Sequence, residues 1–163
     1  MAASVAAAAA AAVSAPADPD LPGDDGGPRC ANNEQYADER PTGMRADAAA
    51  AWLATEAVAL SVGVHMCLAD GKRSRTQQQQ TYDDYVRQYG PQMAALYVLP
   101  PAKSAHVQGL AVDVQPYAAY TWLEGTRGAL GWCRMYDNEV WHFEYDAGYP
   151  SSGCPSRLPH PMP

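Results

Sequence analysis

The chain has 163 residues, 47% of them hydrophobic, which suits one compact domain with tails. Its formal net charge is -7, and its Lys and Arg residues are few and scattered. That excludes a nucleic-acid partner, because phosphate binding needs clustered positive charge.

Met1 to Ala17 is apolar, Ala-dominated and closes on Ala15-Pro16-Ala17. This is the pattern of a secretory leader cleaved near Ala17, although no Lys or Arg precedes the apolar run. The run is too short and too Ala-rich for a membrane span. Export would place the protein in the cell envelope or outside the cell. There, the even count of Cys30, Cys67, Cys133 and Cys154 favours two disulfides, with three pairings open. None of the four lies in a Cys-x-x-Cys pair, which argues against a zinc knuckle or a thioredoxin-like site.

Residues 18–43 are rich in Pro, Gly and Asp and read as a flexible arm, tied to the body through Cys30. The folded domain is expected over 44–150, and 151–163 reads as a tail held by Cys154. Asp47 is a fair N-cap for an Ala-rich helix over 47–60, with Trp52, Leu53, Ala57 and Leu60 as its buried stripe. A strand follows over 64–68, with Ala69-Asp70-Gly71 as its exit turn. Thr76 and Gln79 have capping-box spacing for a helix over 76–89. Tyr82, Tyr85, Val86 and Tyr89 fall on one face of it, expected to be core. A short helical piece over 92–97 stops at Pro100-Pro101.

Residues 110–114 alternate as a strand, with Ala111 and Asp113 on one face. A helix is expected from Pro116 to about Leu130, weakened by Gly125 and Gly128. Strands over 132–135 and 140–145 flank an Asp137-Asn138 turn. The pattern predicts an α+β fold: a small antiparallel sheet with helices packed on it and a metal site on the sheet. Nothing in the sequence indicates an oligomer.

Asp113 carries the first chemical signal. A carboxylate amid apolar strand residues is costly to bury without a partner. His106 stands just before that strand, and Gly109 allows a tight turn between them. His142 lies between Trp141 and Phe143 in a later strand. Two imidazoles, one carboxylate and an open position make the ligand pattern of a catalytic zinc. A general base is then needed nearby. Strict strand alternation puts Glu144 on His142's face and Glu139 on the other, unless the segment before His142 is still turning. The residues alone leave both candidates open.

The motifs resemble those of the zinc D-alanyl-D-alanine carboxypeptidases, the VanY-type and VanX-type peptidases of peptidoglycan. That family carries Ser-x-His-x-x-Gly-x-Ala-x-Asp, matched by Ser104, His106, Gly109, Ala111 and Asp113. It also carries Glu-x-Trp-His, matched by Glu139, Trp141 and His142. The resemblance spans about Val64 to Tyr145. It implies that His106, Asp113 and His142 bind zinc and that Glu139 is the base. A further family pattern, Ser-Gly-Tyr-Arg-Ser followed by Gln, aligns with Asp70 to Ser74 and Gln78. It implies that Arg73 stabilises the carbonyl oxygen, and that Gln78 and Ser104 contact substrate. Asp70 and Lys72 depart from the pattern, where a small residue and an aromatic are usual.

The implied substrate is the peptidoglycan stem peptide, with release of its terminal D-Ala. The alternatives are a stem endopeptidase of the L-Ala-D-Glu type and a non-catalytic zinc-containing wall-binding module. Trp141 is expected to pack beneath the site.

Overall fold

A computed structural model describes residues 14–24 and 26–162. Most of the expected leader lies outside these residues. Among the described residues, no helix is long and apolar enough to cross a membrane.

In chain order, β1 (Arg29–Cys30) and β2 (Asn33–Ala37) form a hairpin, followed by α1 (Ala46–Ser61). Then come β3 (Cys67–Asp70), α2 (Arg75–Tyr89), α3 (Pro91–Ala94) and a 3-10 turn over Pro101–Lys103. The rest is β4 (Ala111–Gln115), α4 (Tyr117–Gly125), β5 (Trp132–Arg134), β6 (His142–Tyr145) and α5 (Tyr149–Ser152). The main sheet has the order β3-β4-β6-β5 and every pairing in it is antiparallel. The fold is α+β, as the sequence pattern implies.

The apolar face of the sheet packs on α1 and α4. Leu68, Val112, Val114, Trp132 and Phe143 from the strands meet Ala48, Trp52, Ala119 and Leu123 from the helices. Trp52 and Trp132 meet edge to face, with centroids 5.9 Å apart and planes at 88°. Trp52 is fully buried. Trp52→Ala should therefore cost about 3–5 kcal/mol of stability in a denaturant titration. A loss below about 1 kcal/mol would show that α1 is not anchored through this ring.

Several local expectations are corrected. The buried stripe of α1 is Ala48, Trp52, Thr55 and Ala59, while Leu53, Ala57 and Leu60 are exposed. An Ala-rich helix has no strong apolar face of its own, so the packing of Trp52 sets its rotation. The box that starts α2 is Ser74 with Gln77, not Thr76 with Gln79. The Tyr stripe of α2 is not core. Its only buried residue is Gln78, and Tyr89 is 54% exposed. Helix α4 ends at Gly125, five residues short of the expected end, and Arg127 then turns at a positive φ. β3 starts three residues later than expected.

The arm before α1 is built into the structure. Glu39 N–H donates to Leu68 O at 2.9 Å, and Asp38 Oδ1 accepts from Leu68 N–H at 2.9 Å. These bonds cover the outer edge of β3, which would otherwise expose unpaired backbone groups. The disulfides are Cys30–Cys67, which joins the arm to β3, and Cys133–Cys154, which joins β5 to the tail.

Candidate metal centre

Sheet register places two of the three expected ligands. Asp113 of β4 pairs directly with His142 of β6. Directly opposed residues on antiparallel strands share a face. The third ligand arrives from the loop before β4. His106 O accepts from Gly109 N–H at 3.1 Å in a tight turn, and Gly109 takes φ +69° to lead the chain into the strand. A Cβ at that position would lie 2.7 Å from Arg45 N and 2.8 Å from the Ala17 Cβ, so only glycine fits.

The ligand atoms converge. Asp113 Oδ1 lies 3.0 Å from His142 Nδ1 and 3.4 Å from His106 Nε2. All three lie within 4.8 Å of one another. Zinc bonds of about 2.0–2.1 Å in a tetrahedron require ligand atoms about 3.3 Å apart. The side chains present therefore fit zinc. The remaining ring nitrogens are also engaged. His106 Nδ1 lies 2.7 Å from Gly71 O, and His142 Nε2 lies 3.1 Å from Glu144 Oε1. Each ring can thus donate its outer N–H while turning its other nitrogen inward, the usual support of metal-binding histidines.

The charges agree with this arrangement. Burial opposes ionisation of Asp113, but the two imidazoles hold its carboxyl below the usual range. Burial likewise opposes protonation of His142, but Asp113 and Glu144 push it up to about 10.

Glu139 is 8% exposed and lines the same cleft. β6 begins only at His142, and His142 N–H donates back to Glu139 O at 3.2 Å. Glu139 thus sits in a turn, where strand alternation does not apply. Burial pushes its carboxyl up to about 7, with Asp113 adding to the rise while His142 and Arg73 oppose it. Glu144 has the other job: it accepts from His142 and from the Tyr136 hydroxyl at 3.3 Å.

Arg73 is clamped at both ends of its guanidinium. Asp70 takes Nε and Nη2 at 2.7–3.0 Å, and Gln78 Oε1 takes Nη1 at 3.0 Å. The same guanidinium lies 3.7 Å from Asp113 Oδ2. Asp70, one departure from the family pattern, is thus the orienting partner of Arg73. Lys72, the other, is buried and donates through Nζ to Leu21 O and Arg73 O at 2.7 Å, tying the arm to the body. Gln78 has both amide ends committed to protein, its Nε2 donating to Leu99 O at 2.8 Å. It positions Arg73 from the cleft wall. Ser104 Oγ accepts from Val107 N–H at 3.4 Å, shaping the His106 turn from the cleft wall.

The cleft encloses about 110 Å³. Trp141 is among the residues that line it. Sequence reasoning missed Tyr136, which stacks on His142 with centroids 5.3 Å apart and planes at 29°. It also missed Tyr85 and Tyr97 on the cleft wall. Tyr85 was in view as part of the α2 stripe, but assigned to the core.

The profile of the VanY D-alanyl-D-alanine carboxypeptidase family matches residues 41–130, more than half of the chain. The chain belongs to that family. With it comes the class: this VanY-family chain is a zinc metallopeptidase. The matched stretch holds Arg73, His106 and Asp113 and stops before Glu139 and His142. Those two rest on the geometry above.

Solved structures agree. The zinc-bound, point-mutant VanY D,D-pentapeptidase of a VanB-type vancomycin resistance cassette is 25% identical, with TM-score 0.59. The match covers 64% of this chain and 74% of that one. VanYB in complex with D-alanine-D-alanine is 25% identical with TM-score 0.57, covering 63% and 71%. An L,D-carboxypeptidase, DacB of Streptococcus pneumoniae, is 25% identical with TM-score 0.55, covering 71% and 73%. No curated protein matches the chain.

Proposed function

We propose that this VanY-family protein is a D,D-carboxypeptidase that releases the terminal D-Ala of peptidoglycan stem peptides outside the cytoplasmic membrane. One observation carries the reading: the His106–Asp113–His142 cluster, Glu139 and Arg73 all face one small cleft. A wall-binding module would need the ligands but neither a buried carboxylate in the cleft nor a clamped guanidinium beside it. The relative crystallised with D-alanine-D-alanine supports that substrate. Two disulfides suit an oxidising compartment.

His106, Asp113 and His142 would hold the zinc, which supplies Lewis acidity and lowers the pKa of the attacking water towards about 7. Glu139 takes the proton of that water as its oxygen attacks the peptide carbonyl carbon. Arg73 donates to the carbonyl oxygen as it gains charge; Asp70 and Gln78 hold the guanidinium in place beforehand. Glu139 then gives the proton to the leaving amine as the C–N bond breaks. Tyr136 and Glu144 keep the His142 ring from turning.

The DacB likeness favours one second reading, L,D-carboxypeptidase activity on a stem already shortened by one residue. Acylated peptides ending in D-Ala-D-Ala and in L-Lys-D-Ala, incubated with and without chelator, separate the two. Chelator-sensitive D-Ala release from the first peptide alone supports the D,D reading. Release from the second alone replaces it.

The two carboxylates are separated by Glu144→Ala. Loss of a partner behind a metal-binding histidine costs about 10–100-fold in metal affinity, so zinc binding should weaken and turnover return at saturating zinc. Unchanged zinc affinity with lost turnover would make Glu144 the base.

A further inference from the structure

The tail after α5 is exposed along most of its length, yet Pro161 is buried and lines the catalytic cleft. Backbone bonds bring it there. Leu158 N–H donates to Met135 O at 2.9 Å, Asp137 N–H to Leu158 O at 2.8 Å and Asn138 N–H to Pro159 O at 3.3 Å. The Cys133–Cys154 disulfide pins the start of this strip to β5. Arg157 adds ion pairs at 2.7 Å to Asp137 and to Glu124. The strip follows residues 135–138, the segment that stacks Tyr136 on His142. From the same segment, Asn138 Nδ2 donates to Leu96 O at 2.8 Å, next to the cleft residues Tyr97 and Val98. The tail therefore runs beside the Tyr136 segment and delivers Pro161 to the cleft lining.

Proline suits a barrier. Its φ is fixed, and it has no N–H to offer a peptide running past it. The cleft behind it, at about 110 Å³, is small beside the ~300–1,000 Å³ of ordinary ligand sites.

We propose that Pro161, held in place by the Leu158–His160 strip, is a fixed wall of the substrate cleft, and that it confines cleavage to a residue at a free chain end. The inference rests on the carboxypeptidase reading and names the part of the chain that enforces it.

The test compares zinc-loaded wild type with a chain ending at Arg157, which keeps all four cysteines, and with Pro161→Gly. The substrates are N-acetyl-L-Lys-D-Ala-D-Ala and the same peptide extended by four glycines, with D-Ala–D-Ala cleavage followed by mass spectrometry. Wild type should cut the extended peptide on the order of 100-fold more slowly than the free-ended one. The shortened chain should narrow that gap to about tenfold or less, at equal zinc content, and Pro161→Gly should move the same way. A gap unchanged within about twofold in both variants overturns the wall. If wild type cuts neither peptide, the carboxypeptidase reading fails instead. The wall is then judged by calorimetry, where the extended peptide must bind the shortened chain about tenfold more tightly than wild type. Equal affinity overturns it.

Discussion

Glu139→Ala is expected to lower kcat by about 10²–10⁴-fold while leaving one zinc bound, because a positioned base contributes that much and the ligands are untouched. The argument is local. Glu139 belongs to the turn before β6, is buried in the cleft, and is pushed by that burial up to about 7. A carboxyl in that range takes a proton readily and returns it readily. Kinetics on the acyl-D-Ala-D-Ala peptide, with elemental analysis of the same sample, reads both halves of the prediction. Near-wild-type hydrolysis would remove Glu139 from the mechanism. Loss of zinc as well as turnover would make it a structural support of the site.

His106→Ala is expected to lose both zinc and activity, with turnover falling to the level of chelated wild type. His106 Nε2 faces Asp113 at 3.4 Å while Nδ1 is held by Gly71 O at 2.7 Å. No other described residue stands in the cluster to replace it. The fold should survive, because His106 lies in a loop outside the apolar core. A variant that keeps stoichiometric zinc would show that the ion sits elsewhere. His106→Ala and Glu139→Ala therefore make a matched pair, one losing metal with activity and the other losing activity alone.

The chemistry was far more legible in the chain than the packing. The spacing of His106, Gly109 and Asp113 reports a turn feeding a strand, which local sequence encodes directly. Pairing of Asp113 with His142 is a register between distant strands; alternation says only which residues of one strand share a face, so it was the resemblance of the motifs that joined these two. Helix faces were harder. In α1 an almost uniform run of alanines gives no rotation, so Leu53 and Leu60 face solvent while Thr55 is buried. In α2 the Tyr residues follow helical spacing, but the helix lies along the cleft, and its side toward the protein is used by Gln78 to hold Arg73. Periodicity reports that a face is distinct, not whether it meets core or substrate. Of the two departures from the motif, Asp70 has a local partner in Arg73, three residues on, whereas the partner of Lys72, Leu21, is set by tertiary structure. The tail's place in the cleft had no local signal beyond Cys154.

The central claim is that two imidazoles and one carboxylate hold a single catalytic zinc. Zinc-edge X-ray absorption on the purified wild-type protein tests it most directly. The expected result is one zinc per chain with nitrogen and oxygen neighbours at about 2.0 Å, two of them imidazole, and no sulfur. A sulfur shell, or a zinc spectrum that stays the same in His142→Ala, would contradict it.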